Sequence, residues 1–139
     1  MKERVLLIDD DPAVRESLGL ALESEGYQVL LAANGEEGLH RFYDGYVDIV
    51  LLDLSTPVLN GWDTFERITA VNPFIPIIII TARTDQYEKA ATAGVTALME
   101  KPLYIPALVR TIDRICSESV GKRMERIISH RTIVVPSIA

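Results

Sequence analysis

Residues 48–53 read Asp48-Ile49-Val50-Leu51-Leu52-Asp53, an unbroken apolar run that stops on a carboxylate. A run this short, built from β-branched and leucine side chains, fits a strand buried on both faces, as in parallel sheets. Three other runs share that build, and each also ends at a polar group. Val5-Leu6-Leu7-Ile8 leads into Asp9-Asp10-Asp11, Ile77-Ile78-Ile79-Ile80 into Thr81-Ala82, and the stretch from Thr96 to Glu100 into Lys101-Pro102. Gln28-Val29-Leu30-Leu31-Ala32 completes a set of five predicted strands.

Helical patterns fill the intervals. Asp11 is a suitable N-cap with Pro12 in the first turn, Val14, Leu18, Leu20, Ala21 and Leu22 are expected to give the first helix its buried face, and Gly26 closes it. Asn34-Gly35 turns into a second helix through Leu39 and Phe42, and Gly61 precedes a third through Phe65 and Ile68. Tyr87, Ala90 and Ala91 mark a fourth that ends at Gly94, and the fifth runs from Ile105 to about Ser117. Five βα units with right-handed crossovers predict an α/β fold, a doubly wound five-stranded parallel sheet of the flavodoxin-like kind.

The length of 139 residues and the apolar share of 48% fit one folded domain and exclude a disordered chain. Residues 1–118 are the expected domain, and residues 119–139 a C-terminal extension. In that extension Gly121 is expected to break the fifth helix, and Met124, Ile127 and Ile128 are spaced along one helical face. Thr132-Ile133-Val134-Val135 reads as a lone strand that Pro136 stops, able to pair with an exposed edge in its own chain or a neighbour. Cys116 is the only cysteine, which excludes an internal disulfide and a cysteine-based metal cluster and suits a reducing cytoplasm. Met1-Lys2-Glu3-Arg4 carries no apolar leader. The longest apolar run, from Ile75 to Ile80 and containing Pro76, is far shorter than the ~20 residues of a membrane span. A soluble, cytoplasmic protein without membrane insertion is therefore expected.

The net charge of −6 argues against direct nucleic-acid binding. Charge is uneven: Lys122, Arg123, Arg126 and Arg131 face Glu125 alone, so the tail carries +3 and the body −9. Such a tail can dock on its own body, touch a partner, or be a solvated end.

Ligands of open α/β sheets bind beyond the carboxyl ends of the strands. Asp9-Asp10, Asp53, Thr81 and Lys101 all fall at those ends. Taken singly, each is an ordinary turn former, helix cap or surface charge. Taken jointly, three carboxylates would repel unless a cation lay among them, and oxygen-only ligands with room for water and phosphate suit Mg²⁺ or Mn²⁺. A lysine and a hydroxyl beside them would neutralise and bind phosphoryl oxygens, and a carboxylate would serve as nucleophile.

Those stretches, with Pro57, Gly61, Thr81-Ala82 and Lys101-Pro102, resemble the CheY-like receiver domain of two-component response regulators over residues 3 to about 118. The resemblance implies that Asp53 accepts a phosphoryl group from a histidine kinase or histidine phosphotransfer protein. It implies Asp10 as a direct Mg²⁺ ligand, Asp9 as its neighbour acting through water, and the backbone carbonyl of Ser55 as a third protein ligand. Thr81 would be the switch hydroxyl, Ala82 the small residue beside it, Lys101 the phosphoryl-binding lysine, and the bond to Pro102 cis. Ser55 and Arg83 occupy positions that tune acyl-phosphate lifetime. The implied target surface comprises the fourth helix, fifth strand and fifth helix, around Tyr87, Lys89, Glu100, Tyr104 and Arg110.

Three positions depart from the family pattern. Leu98 stands where an aromatic switch residue is usual, Thr56 where Met commonly precedes Pro57, and Leu103 where an aromatic often follows Lys-Pro. Leu98 keeps open a degenerate receiver, an interaction module that never takes phosphate. A metal-dependent phosphatase would need a second aspartate two residues beyond Asp53, and that residue is Ser55. No effector domain fits within residues 119–139, so a single-domain or phosphorelay regulator, or a module of a longer chain, is expected. Homodimerisation through the tail is a further expectation.

Overall fold

The apolar runs form the strands that their composition dictates. In a computed structural model, which describes residues 3–55, 60–83, 85–129 and 132–135, they are β1 (Arg4–Ile8), β2 (Gln28–Ala32), β3 (Ile49–Asp53), β4 (Ile77–Thr81) and β5 (Ala97–Glu100). The helices between and after them are α1 (Pro12–Ser24), α2 (Gly35–Asp44), α3 (Gly61–Val71), α4 (Tyr87–Ala93) and α5 (Ile105–Cys116). The extension adds α6 (Val120–Ser129) and β6 (Ile133–Val135). Thr56, Pro57, Pro136 and the side chain of Ile127 lie outside the described residues.

The sheet is parallel throughout, with strand order β2-β1-β3-β4-β5-β6. It has six strands where the central βα pattern predicts five, because the lone strand of the tail joins β5 of its own chain. Its partners are Ala97 with Ile133, Leu98 with Val134 and Met99 with Val135. The Ile133 amide donates to the Thr96 carbonyl at 3.0 Å, and Thr132 Oγ1 donates to the Val95 carbonyl at 2.8 Å. The fifth helix also ends earlier than Gly121 would require: α5 stops at Cys116, and Gly121 lies inside α6. Ser117 is the C-cap of α5, and its hydroxyl donates to the Asp113 carbonyl at 2.7 Å.

Side-chain alternation along the strands builds two apolar layers. Val5, Leu7, Leu51, Ile78 and Met99 pack with Leu18, Leu22, Leu108 and Ile112 of α1 and α5. Leu6, Ile8, Leu52, Ile79 and Leu98 pack on the opposite face with Leu39, Phe65, Ile68 and Ala90 of α2, α3 and α4. Helices begin where short polar side chains cap them. Asp11 accepts the amide hydrogen of Ala13 at 3.0 Å, Asn34 that of Glu37 at 2.8 Å, and Asn60 that of Asp63 at 3.0 Å. Gly94 ends α4 at φ 77°, a left-handed geometry that favours glycine.

Candidate functional site

With all strands parallel, every carboxyl end opens on one side, and the strand-end polar groups meet there. Asp9 follows β1, Asp53 is the last residue of β3, Thr81 the last of β4, and Lys101 follows β5. Asp9, Asp53 and Thr81 are buried, whereas Asp10 is exposed. Carboxylate oxygens of Asp9, Asp10 and Asp53 all lie within 4.8 Å of one another.

Lys101 closes the cluster. Its Nζ donates to Asp53 Oδ2 at 2.9 Å and stands 3.7 Å from Asp9 Oδ2. The other oxygen of Asp53, Oδ1, accepts the Ser55 amide hydrogen at 2.9 Å, and Asp9 Oδ1 accepts that of Asp11 at 2.9 Å. Asp9 Oδ2 is buried without a hydrogen bond. Burial pushes the Asp9 carboxyl above its usual range; Asp53 and Asp10 reinforce the rise, and the Asp11 amide and Lys101 oppose it. For Lys101 burial pulls the other way, yet the hydrogen bond and charge of Asp53 outweigh it and hold the ammonium above an ordinary lysine. An orphan oxygen in a three-carboxylate, all-oxygen donor set fits a small hard divalent cation.

Local backbone geometry fixes these groups. Gly61, the first residue of α3, packs so tightly that a Cβ there would lie 2.5 Å from the Leu54 Cα, one residue beyond Asp53. The Leu54 amide donates to the Ile80 carbonyl at 3.1 Å, and the Lys101 amide to the Thr81 carbonyl at 2.8 Å. Thr81 Oγ1 accepts the Arg83 amide hydrogen at 3.0 Å. Arg83 and Ala82 are exposed, and the Arg83 guanidinium pairs with Asp85 at 3.0 Å. The Lys101–Pro102 bond is cis. Leu98, three residues before Lys101, is buried in the layer packed by α2, α3 and α4.

Residues 5–113 match the family model described as "Response regulator receiver domain". The chain belongs to that family. This receiver domain is 38% identical over 124 residues to the transcriptional regulatory protein GlrR of Escherichia coli, covering 88% of the chain and 28% of the relative. It is 36% identical over 111 residues to the response regulator MprA of a Mycobacterium species, covering 78% and 48%. The chain thus spans less than half the length of the curated relatives it matches. Among solved structures, a CheY-like receiver domain protein of Methanospirillum hungatei superposes with TM-score 0.79 at 26% identity, covering 90% of this chain and 98% of that one. The Thermotoga maritima response regulator TrrA, solved in complex with Mg²⁺ and BeF, superposes with TM-score 0.76 at 29% identity, covering 82% and 99%. Among the described residues, no helix of this receiver domain is long and apolar enough to cross a membrane.

Two contributions to the site have no signature in the sequence. Arg15, on α1, donates from Nη1 to the Asp9 carbonyl at 2.7 Å and so anchors the carboxyl end of β1. An apolar groove of about 370 Å³, lined by Ala13, Val14, Ser17, Pro102 and Leu103, opens beside Lys101. The groove needs α1 beside the segment from Lys101 to Ile105, which no local pattern specifies.

Proposed function

We propose that this receiver domain takes a phosphoryl group onto Asp53 from a phosphohistidine of a histidine kinase or histidine phosphotransfer protein. One observation carries the reading: the Asp53 carboxylate is 1% exposed, hydrogen-bonded by Lys101 at 2.9 Å, and faces two further carboxylates. A buried carboxylate held in place between fixed hydrogen-bond donors is a positioned nucleophile. One Asp53 oxygen attacks phosphorus, the new P–O bond replaces the P–N bond, and the imidazole leaves with the electron pair. Lys101 Nζ neutralises charge on the phosphoryl oxygens, and the Thr81 hydroxyl donates to another of them.

Asp9, Asp10, Asp53 and the Ser55 carbonyl would hold Mg²⁺ or Mn²⁺, which supplies charge neutralisation for the transferring group. The groove beside Lys101 suits the apolar flank of the histidine donor. The product is a signalling state, so the domain acts as a phospho-acceptor, with at most self-catalysed phosphorylation and hydrolysis, in the cytoplasm. Arg83, exposed near Thr81, tunes the lifetime of the acyl phosphate.

The downstream target is proposed to read α4, β5 and α5, where Tyr87, Lys89, Tyr104 and Arg110 are exposed and Glu100 is half-buried. Because β6 occupies the edge of β5, the target meets the two helices and β6 rather than the β5 backbone. Residues 119–139 form the extension of a domain spanning 1–118. Met124 and Ile128, exposed on α6 at helical spacing, support homodimerisation through it.

The test is intact-mass spectrometry after incubation with Mg²⁺ and acetyl phosphate. One added phosphoryl group is expected, absent from Asp53→Ala and after chelation. Following its decay in Arg83→Ala examines the lifetime assignment, which an unchanged rate would remove. No adduct, even with a phosphorylated kinase and time points fast enough to catch hydrolysis, would overturn the acceptor reading.

A further inference from the structure

Leu98 gives the fifth strand no aromatic ring that could swing when Thr81 moves, so site and surface need another physical link. Among the described residues, a side-chain pair links the start of α3, which follows the Asp53 loop, to the start of α4, which follows Thr81. Trp62 Nε1 donates to Gln86 Oε1 at 3.0 Å. Trp62 lies in the first turn of α3, directly after the Gly61 that packs on Leu54 beside Asp53. Gln86 immediately precedes α4 and is only 6% exposed.

Gln86 stands at the N-cap position of α4, yet its side chain makes no capping bond. Its carbonyl takes the indole hydrogen instead, and its amide donates to Asp85 Oδ1 at 2.9 Å. The Lys89 ammonium of α4 sits 5.0 Å from the centroid of the Trp62 ring, and Phe65 meets that ring edge-on at 5.7 Å. Two backbone steps complete the link. The Thr81 hydroxyl is bonded to the Arg83 amide, and Arg83 lies three residues before Gln86. The exposed Arg83–Asp85 pair adds little of its own.

We propose that Trp62 and Gln86 are positioning residues, a clamp through which the phosphorylation state of Asp53 sets the placement of α4. The inference rests on Asp53 being the acceptor. When the two part, the buried Gln86 carbonyl loses its donor, so the clamp has made and broken states rather than a continuum. When Thr81 turns toward a phosphoryl group on Asp53, it draws the Arg83 amide with it and shifts the Gln86 end of the clamp. The Trp62 end stays fixed to the acceptor loop by the Gly61–Leu54 contact. The clamp reports on α4 through Lys89, which belongs to the exposed surface around Tyr87.

Trp62 is the only tryptophan of the chain, which makes the clamp directly observable. The full chain is treated with Mg²⁺ and acetyl phosphate while intact mass and tryptophan emission are followed together. Emission should change in step with the adduct and stay constant in Asp53→Ala. Gln86→Met, which keeps the volume and removes the acceptor, should still take the phosphoryl group, with an emission response reduced about twofold or more, the range found for coupled side chains. Hydrogen exchange of the α4 amides supplies a second readout. Phosphorylation should alter it in the wild type and leave it nearly unaltered in Trp62→Phe, which keeps a ring but has no N–H. A full adduct with constant Trp62 emission, or a wild-type response in Gln86→Met, overturns the clamp and leaves the acceptor reading standing. Absence of any adduct overturns both.

Discussion

A parallel sheet has two places where polar groups are left over, the ends of its strands and its open edges, and this chain treats them in opposite ways. At the edge of β5 the surplus is removed. Residues 133–135 add a strand, Ile133 and Thr132 satisfy the Thr96 and Val95 carbonyls, and Val135 is buried in the core. At the carboxyl ends the surplus is kept and even increased. Asp9 and Asp53 are buried there, and Asp9 Oδ2 has no hydrogen-bond donor. Burying two carboxylates against a single ammonium, that of Lys101, is costly, and a bound cation would offset that cost. The edge serves stability and the strand ends serve chemistry.

Substitutions can break or sharpen that contrast. The largest effect is expected at the strand ends. Asp9→Ala should weaken Mg²⁺ binding about 10- to 100-fold, the range for residues that support a metal site, as measured by isothermal titration calorimetry. Its fold should survive, because the change also deletes a buried charge. Next comes the shared framework. Leu51→Ala, in the centre of the sheet, should cost about 2–5 kcal/mol in denaturant unfolding and lower phosphoryl uptake only through the unfolded fraction. Smaller still, Val135→Ala should cost about 1–2 kcal/mol, with faster exchange of the Ile133 amide and an unchanged rate of phosphoryl uptake. A slower uptake in that variant would show that edge and site are one system after all. The smallest effect concerns Cys116. Burial pushes its thiol up to about 12, so alkylation at pH 8 should be much slower than for a free thiol, and should quicken when the protein is unfolded.

The legibility of these features follows from how local their signals are. Strands β1, β3 and β4 could be read because each is a compact apolar run with an abrupt polar end, and the site could be read because those ends recur. Asp11 as an N-cap was equally local. The tail was readable as a strand but not as a sixth member of the sheet, since three residues contain no information about which edge they will meet. Gly121 lies inside α6 because glycine weakens a helix without forbidding it, and the break between α5 and α6 falls earlier, at the Ser117 C-cap. Arg15 and the Gln86–Trp62 pair were invisible for another reason. The first joins a helix side chain to the strand end six residues before it, the second links α3 to the start of α4, and neither has a periodicity to announce it.

The direction of β6 bears on how the molecule can be handled. Because it runs parallel to β5, Val135 is level with Met99, two residues short of Lys101. Anything tethered downstream of Val135 therefore sets out from the acceptor end of the sheet, while anything fused ahead of Arg4 sets out from the far end. A short tether concentrates its cargo around its origin, so an affinity tag or fluorophore behind the tail would crowd the proposed phosphohistidine donor. A label ahead of β1 would leave that approach clear, and a donor peptide deliberately joined behind β6 would be held where it can react.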